Sequence, residues 1–436
     1  MGKRLKPVAA IAQPIASIPG GVMGFPAHPE RAIALGEVHA RPYPLVDTPR
    51  LLIQLAFMTE GGSTVDHAVL AELSRSIGIA PPARDARHHV MPWGNGTLRW
   101  ERHTEFSTYL WEGPMPRSGS VAQHPFGHGF NPPGTVIDGV RLEIIKKDQN
   151  ALALISEFDP ASLCYSDVEG GLASIVTDFR QDRDGLTRIL ILDNGLSPAR
   201  AGALSQRVIE IETYRTLAML GLPLAHSLSP RIRRIEDRLA GLTNEMRDAT
   251  SDSHKLLDEL TSLAAELEAD AASSLYRFGA SRAYNGIVLE RLAALQEEPV
   301  TGYETWGAFI QRRMAPAMRT CRSVSGRQES LSEKLSRAAT LLRTSVDVEL
   351  ERQNRDLLTS MNRRAQLQLR LQRTVEGLSV AAISYYVVGL FYYLAKGAET
   401  YLPDLHASVL TAIFVPIAIL AMWYIVKSIR TSHADD

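Results

Sequence analysis

Eight of the twelve histidines lie within the first 128 residues, and several sit close to carboxylates or to one another. Glu37-Val38-His39 places two ligand types side by side, and His88-His89, His103 with Glu105, and His124 with His128 add more. Imidazole and carboxylate groups together suit a borderline or hard divalent metal. No spacing here matches a standard metal motif, and His124-Pro-Phe-Gly-His128 falls in a stretch rich in proline and glycine. The bland alternative has His39 and Arg41 bracing a helix end and His103 serving as a sheet residue. Glu37, His39 and Arg41 alternate. On an extended chain they share one face and form a ligand or partner contact. On a helix Glu37 and Arg41 make an i,i+4 ion pair, worth a few tenths of a kcal/mol. His103 and Glu105 are the second candidate contact.

Signatures of catalysis are missing. The chain has no phosphate-binding P-loop, no GxGxxG after a strand, no GxSxG and no HExxH. Gly20-Gly21 and Gly170-Gly171 are isolated pairs that read as turns. The two cysteines, Cys164 and Cys321, are far apart and have no local partner pattern. This fits a reducing compartment and rules out a disulfide framework or a cysteine-rich zinc site. The expectation is a non-enzyme with no organic cofactor, a divalent metal being the one ligand that the histidines leave open. A formal net charge of −1 gives no global basic field for nucleic acid.

A second group of notable residues lies near the C-terminus. No charged side chain occurs from Gly377 to Ala395, or from Ala407 to Val426. Each run is ~20 residues, enough to cross a hydrocarbon core as a helix. Between them residues 396–406 hold Gly397 and Pro403, so the two spans form a tight hairpin. Arg363, Arg364, Arg370 and Arg373 precede the first span, and Lys427 and Arg430 follow the second. The positive-inside rule puts both ends in the cytoplasm, with the 396–406 loop outside. Tyrosines such as Tyr385 and Tyr401, with Trp423, suit interfacial anchoring, and Pro416 sits inside the second span. Gly377, Ala381 and Ser384 give a small-residue face that either packs against another helix or lines a narrow pore. Glu376 is either a snorkelling interfacial group or one member of an acidic ring in an oligomer, and Lys396 stands at the outer end.

Residues 1–27 carry basic and apolar residues, but Pro7, Gln13 and Pro14 interrupt any signal-peptide core, so a flexible tail is expected. Lys6 stands where a myristoylation signal needs Ser or Thr. Residues 28–196 read as an α+β cytosolic domain. A short helix is expected over 28–40, then a strand over Arg50–Glu60 and a helix over Ser63–Gly78 capped by Ser63. Paired strands follow over Thr97–His103 and Glu105–Gly113, then a loop over 114–135. Further strands are expected over Ala151–Phe158, Leu172–Arg180 and Leu186–Gly195. Residues 197–322 are helical: one helix spans 198–221, a second starts at Pro230, and a break falls near Glu298-Pro299.

Residues 323–376 read as a stalk helix running into the first span, 377–395. Its row Leu331, Leu335, Ala338, Leu342, Val346, Leu350, Asn354, Leu357, Met361, Ala365 steps by three or four, as in a coiled coil with Asn354 setting register. From 323 to 395 such a helix is on the order of 100 Å long. The second span covers 407–426 and a cytosolic tail 427–436. An apolar seam of this kind needs a partner, so a homo-oligomer embedded in the lipid bilayer is expected.

Two resemblances follow. "HPERAIALGEVHARPYP" (His28–Pro44), "WERHTEFSTY" (Trp100–Tyr109) and "RLQRTVEGLSVAAISYYVVGL" (Arg370–Leu390) resemble a bacterial family of predicted membrane-anchored proteins, known as domain of unknown function 3422. These motifs sit near both ends of the chain, and the resemblance brings no activity with it. The layout is also similar to that of CorA-type divalent cation channels: a cytosolic α/β domain, a long stalk helix becoming the first span, and a short second span. Such channels carry Gly-Met-Asn at the outer end of the first span, where this chain reads Tyr393-Leu394-Ala395-Lys396-Gly397. A ring of Lys396 side chains would repel cations. What the layout implies is an ion-conducting or transport-related protein with a cytosolic sensing domain. The alternative is a non-conducting membrane-anchored scaffold or regulatory protein.

Overall fold

The computed structural model describes residues 27–28, 30–31, 34–35, 44–59, 63–84, 86–116, 125–127, 130–248, 251–399 and 406–432. The chain divides into two units, Met1–Asn244 with Leu260–Ser336, and Glu245–Glu259 with Arg337–Asp436. The first unit is built on a mixed sheet. Its strands are β1 (Arg50–Met58), β2 (His88–Trp93), β3 (Gly96–Arg102), β4 (Phe106–Gly113), β5 (Thr135–Lys146), β6 (Cys164–Val168), β7 (Ala173–Gln181), β8 (Thr187–Asp193) and β9 (Glu298–Pro299). The helices are α1 (Ser63–Ser76), α2 (Gln149–Ala153), α3 (Pro198–Met219), α4 (Gly221–Glu245), α5 (Ser253–Leu295), α6 (Trp306–Glu399) and α7 (Ala407–Ser432).

The strand order is β2-β3-β4-β1-β5-β8-β7-β6-β9. Neighbours run antiparallel except β5 and β8, which are parallel. Successive β1 side chains point to opposite faces. Leu51, Ile53 and Phe57 join Leu70 of α1, Trp100, Tyr109 and Trp111 in one cluster. Ala56 joins Phe106 and Leu217 of α3 in another. Both faces of the central strand are therefore covered. Trp100 and Tyr109 are fully buried, and aromatic side chains of that size contribute roughly 4–6 kcal/mol each from area removed from water.

The expected strand over Ala151–Phe158 is corrected. Asp148 caps a short helix, its Oδ1 accepting from the Ala151 amide at 2.8 Å, and a 3-10 turn over Leu154–Glu157 follows. Ala151, Ile155 and Phe158 are the buried members. Their spacing of four and three is helical, and the uninterrupted apolar run concealed it. The helix expected to start at Pro230 instead starts at Gly221 and carries Pro230 inside it. Four strands went unexpected: β2, β5, β6 and the two-residue β9. The central one, β5, buries Asp138 and Glu143 among Val140, Leu142 and Ile144, so its composition hid it. The hairpin at Thr104 is as expected, with the His103 amide donating to the Phe106 carbonyl at 2.9 Å. Of the helix expected over 28–40, residues 31, 34 and 35 are helical, residues 28 and 30 precede it without helical structure, and the rest lies outside the described residues. The capping side chain of Ser63 also lies outside them.

Around the sheet's helical side, α4 buries Gly221, Ala225, Leu228, Ile232, Ile235, Leu239 and Leu242, in alternating steps of four and three. Packing along this one stripe overrides the usual cost of an interior proline, about 3 kcal/mol. Buried positions on α6 follow the same alternation from Ile310 through Met314, Ala317, Cys321, Val324, Gln328 and Leu331 to Leu335. Arg231 pairs with Asp270 at 2.6 Å, linking α4 to α5. Arg327 makes a two-pronged contact with Glu236, linking α6 to α4 at 3.1 and 2.6 Å. Ser274 and Gln328, both buried, meet between α5 and α6 at 3.3 Å. At the start of α6, Glu297 accepts from the Gly307 amide at 3.0 Å, satisfying one of the helix's free N–H groups.

In the second unit, α6 and α7 form a hairpin. Phe391 and Phe414 stack with centroids 3.9 Å apart. Ser384, Ala395, Ala407 and Ala418 are buried, small residues that allow close helix approach. Two helices are long and apolar enough to cross a membrane, α6 and α7. The row expected along the stalk divides. Leu331, Leu335, Ala338 and Leu342 are buried, whereas Leu350, Leu357 and Met361 are exposed.

Candidate functional site

The segment Glu37, His39 and Arg41 lies outside the described residues, as do His124 and His128. Among the described residues no group of three or more His, Cys, Asp or Glu side chains is placed to hold a metal ion. His67 Nε2 lies 2.9 Å from the Pro82 carbonyl and 3.0 Å from that of Ala83, and His89 lies 3.3 Å from the Ser74 hydroxyl. Burial first, then the neighbouring His88 and His67, lowers the His89 pKa. These rings are occupied in holding α1 and β2.

His103 and Glu105 are brought to the same end of the sheet, with different surroundings. His103 stacks on Phe106 with centroids 4.1 Å apart and lies edge-on to Tyr214 of α3. Glu105 receives both guanidinium nitrogens of Arg277 on α5, at 3.0 and 2.6 Å. It is also hydrogen-bonded to Tyr276 and Tyr284; burial is the first cause, and this carboxylate the next, of the raised pKa of both phenols. Glu105 thus ties the β3–β4 turn to α5.

Beside this turn, a cavity of about 50 Å³ lies between the sheet and α3, walled by Gln54, Glu101, His103, Thr108, Glu210 and Tyr214 among others. The β1 and β4 residues facing it alternate with those of the opposite core, so the strand period itself aims them there. This space takes a few water-sized groups. Glu210 is held by Gln206 at 2.8 Å and by Arg291 at 2.5 Å. Ser205 donates to the Ala201 carbonyl at 2.6 Å, so it is a helix-bonded hydroxyl.

Behind the cavity runs a buried polar network that sequence reasoning missed. Gln54 donates to Thr213 at 2.9 Å, and Thr213 donates to Asp138 at 3.0 Å. Thr216 donates to the other Asp138 oxygen at 3.3 Å. Next to it Glu212 accepts from Thr187 at 2.9 Å and from Arg215. Burial first, and the Glu212 charge second, push the Asp138 carboxyl up to about 7. Arg215 keeps its charge through Glu212 and lies 5.2 Å from the Phe179 ring. The available signal was a charged residue inside an apolar run, as in Val136-Ile137-Asp138-Gly139-Val140 and Ile209-Glu210-Ile211-Glu212.

Both thiols are buried. Burial, aided by Glu304 and Glu297, pushes Cys164 up to about 12, and burial raises Cys321 also. Protonated thiols are poor nucleophiles.

In the hairpin, Ser384 is buried while Gly377 and Ala381 are exposed, so these three do not form one covered face within a single chain. Glu376 lines a groove between α6 and α7 with Gln372, Ser379 and Val426. Lys396 folds back over Tyr392, 5.8 Å from the ring centroid.

No curated protein and no solved structure matches the chain. The family described as Protein of unknown function (DUF3422) matches residues 26–433, nearly the whole length, and the chain belongs to that family.

Proposed function

We propose that this protein is a membrane-anchored, non-catalytic binding or regulatory protein. The α6–α7 hairpin crosses the bacterial inner membrane twice, both termini are cytoplasmic, and the sheet unit works in the cytosol. The observation that carries this reading is the outward face of the hairpin. Leu378, Tyr385, Leu394, Ile413 and Leu420 are exposed along two helices that bury almost nothing but small residues against each other. Water is a poor solvent for that surface, and lipid is a good one. Around the sheet cavity Gln54, Thr213 and Glu210 are held by protein partners, and both thiols are buried, which supports recognition over catalysis. Exposed Leu350, Leu357 and Met361 on α6 support self-association.

The second reading is a CorA-like conducting oligomer. Its support is that α6 runs from Trp306 to Glu399 and includes the apolar span. Absence of Gly-Met-Asn and the presence of Lys396 weigh against it.

Two measurements test the pair. Labelling of a cysteine introduced in the 396–406 loop of intact cells and of inverted vesicles checks the topology. Label reaching that loop only from the cytoplasmic side overturns it. Ion flux into liposomes containing the full chain separates the readings. Flux that responds to Lys396→Asn or Glu376→Ala supports conduction, and flux at the level of empty liposomes leaves the binding protein.

A further inference from the structure

Between Asp356 and Glu376 the long helix carries Arg363, Arg364, Arg370 and Arg373 and no acidic residue. All four are exposed, and their side chains make no ion pair or hydrogen bond among the described residues. Several arginines elsewhere are held by carboxylates. Arg188 is held by Glu143 and Glu157, Arg215 by Glu212, Arg277 by Glu105, and Arg327 by Glu236. Even on the exposed part of α6, Arg355 lies beside Glu351.

The cluster has a definite place. At 100° and 1.5 Å per residue, Arg363, Arg370 and Arg373 fall within an arc of about 80°, and Arg364 lies about 100° round from Arg363 on the side of Leu357 and Leu371. Arg373 stands ~6 Å and Arg370 ~10 Å along the helix from Gly377, the first residue of the apolar span, and Arg363 ~20 Å. Lys427 of α7 is at the same end, because Val426 and Glu376 share one groove; its ammonium lies 5.0 Å from the Trp423 ring centroid. Glu376 is the one carboxylate at this level of α6, against four guanidinium groups. Arg370 and Arg373 are close enough to hydrocarbon for their side chains to reach the headgroup layer, where guanidinium pairs with phosphate in a two-pronged geometry; Arg363 stands above that layer on the same face.

Resting on the membrane reading above, we propose that Arg370 and Arg373, with Arg363 further along the same face, form a docking surface for anionic phospholipid headgroups of the cytoplasmic leaflet. The occupant is lipid, not a soluble polyanion, because the cluster ends one helical turn from the span and so is held against the bilayer. Anionic lipid supplies the counter-charge that no protein group supplies, and it fixes the depth and orientation of α6 where the helix leaves the membrane. Attraction of this kind is electrostatic and fades within a Debye length.

The test uses the full chain, extracted in mild detergent from vesicles holding equal amounts of phosphatidylglycerol and phosphatidylcholine, with bound lipid counted by native mass spectrometry. Wild type is expected to retain phosphatidylglycerol over phosphatidylcholine by about fivefold or more. The variant R363Q/R370Q/R373Q is expected to retain the two equally, and the corresponding three Arg→Lys changes to keep most of the preference. Equal retention by wild type, or an undiminished preference in the glutamine variant, overturns the proposal. So does displacement of the lipid by a short soluble polyphosphate at equal charge. Flotation with pure phosphatidylcholine vesicles, resistant to carbonate, is the separate control. If wild type and variant both float, the membrane reading stands whatever the lipid count says; if neither floats, that reading falls and takes this proposal with it.

Discussion

At Gly202 on α3 there is no room for a side chain. A Cβ there would lie 1.7 Å from the Pro44 carbonyl oxygen. The chain entering β1 crosses the helix at this point, and the Val46 amide donates to the Pro198 carbonyl at 3.0 Å. Gly202→Ala therefore forces two backbones apart beside the sheet cavity. A loss of about 3 kcal/mol is expected, seen as a lower unfolding midpoint of the full chain in detergent; an unchanged midpoint refutes the close approach. Asp138 gives a pH signature. Its raised folded value means that the native state binds a proton more tightly than the unfolded chain, so stability falls as pH rises from the ordinary aspartate range to about 7. Asp138→Asn should remove that slope and leave stability at neutral pH equal or higher, measured by unfolding at pH 5 and pH 8. His103 and Glu105 were legible as candidates from residue type alone. Their meaning was not, because the partner that occupies Glu105, Arg277, lies 172 residues away and only the tertiary fold brings it there.

Between elements, the legible parts were those with a clean period. β1, β3, β4, β7 and β8 match expected strands to within a few residues, as do α1 and α3 among the helices. β5 was illegible because a central strand with partnered charges no longer looks apolar: Glu143 receives Arg188 at 3.1 and 3.0 Å, and Asp138 receives two threonines. α4 was misplaced because Pro230 is a strong local signal and seven buried positions outweigh it. The helix stripes also hold polar defects, Gln328 among them. Gln328 Nε2 is buried with no hydrogen-bond partner, whereas Ser274 has a second acceptor in the Ala271 carbonyl at 3.2 Å. Gln328→Leu thus removes an unsatisfied donor without orphaning Ser274. A gain of about 1 kcal/mol is expected, with a higher melting temperature; a loss would mean that an ordered water satisfies the amide and that the polar layer stabilises as well as aligns α5 and α6.

At the scale of the whole molecule, the stalk row changes character along α6. Leu331, Leu335, Ala338 and Leu342 are covered within the chain, while Leu350 and Leu357 are 56% and 59% exposed. Leu350, Leu357, Leu371 and Leu378 recur at multiples of seven, with Arg364 at the position between. A seven-residue apolar repeat on one helix is satisfied by the same repeat on another, and this is what favours a second copy of the chain as the cover. Leu350→Asp with Leu357→Asp would place two charges per helix into such a seam. The expected result is a fall in oligomeric state by native mass spectrometry in mild detergent, with the unfolding midpoint of the sheet unit unchanged, because neither leucine belongs to that unit. Retention of the oligomer would move the contact to the spans, where Gly377 and Ala381 offer a small-residue surface. A wild-type chain found monomeric at concentrations well above those in the membrane would remove self-association. It would remove the conducting reading with it, since one copy of the hairpin has only two helices and cannot enclose a pore.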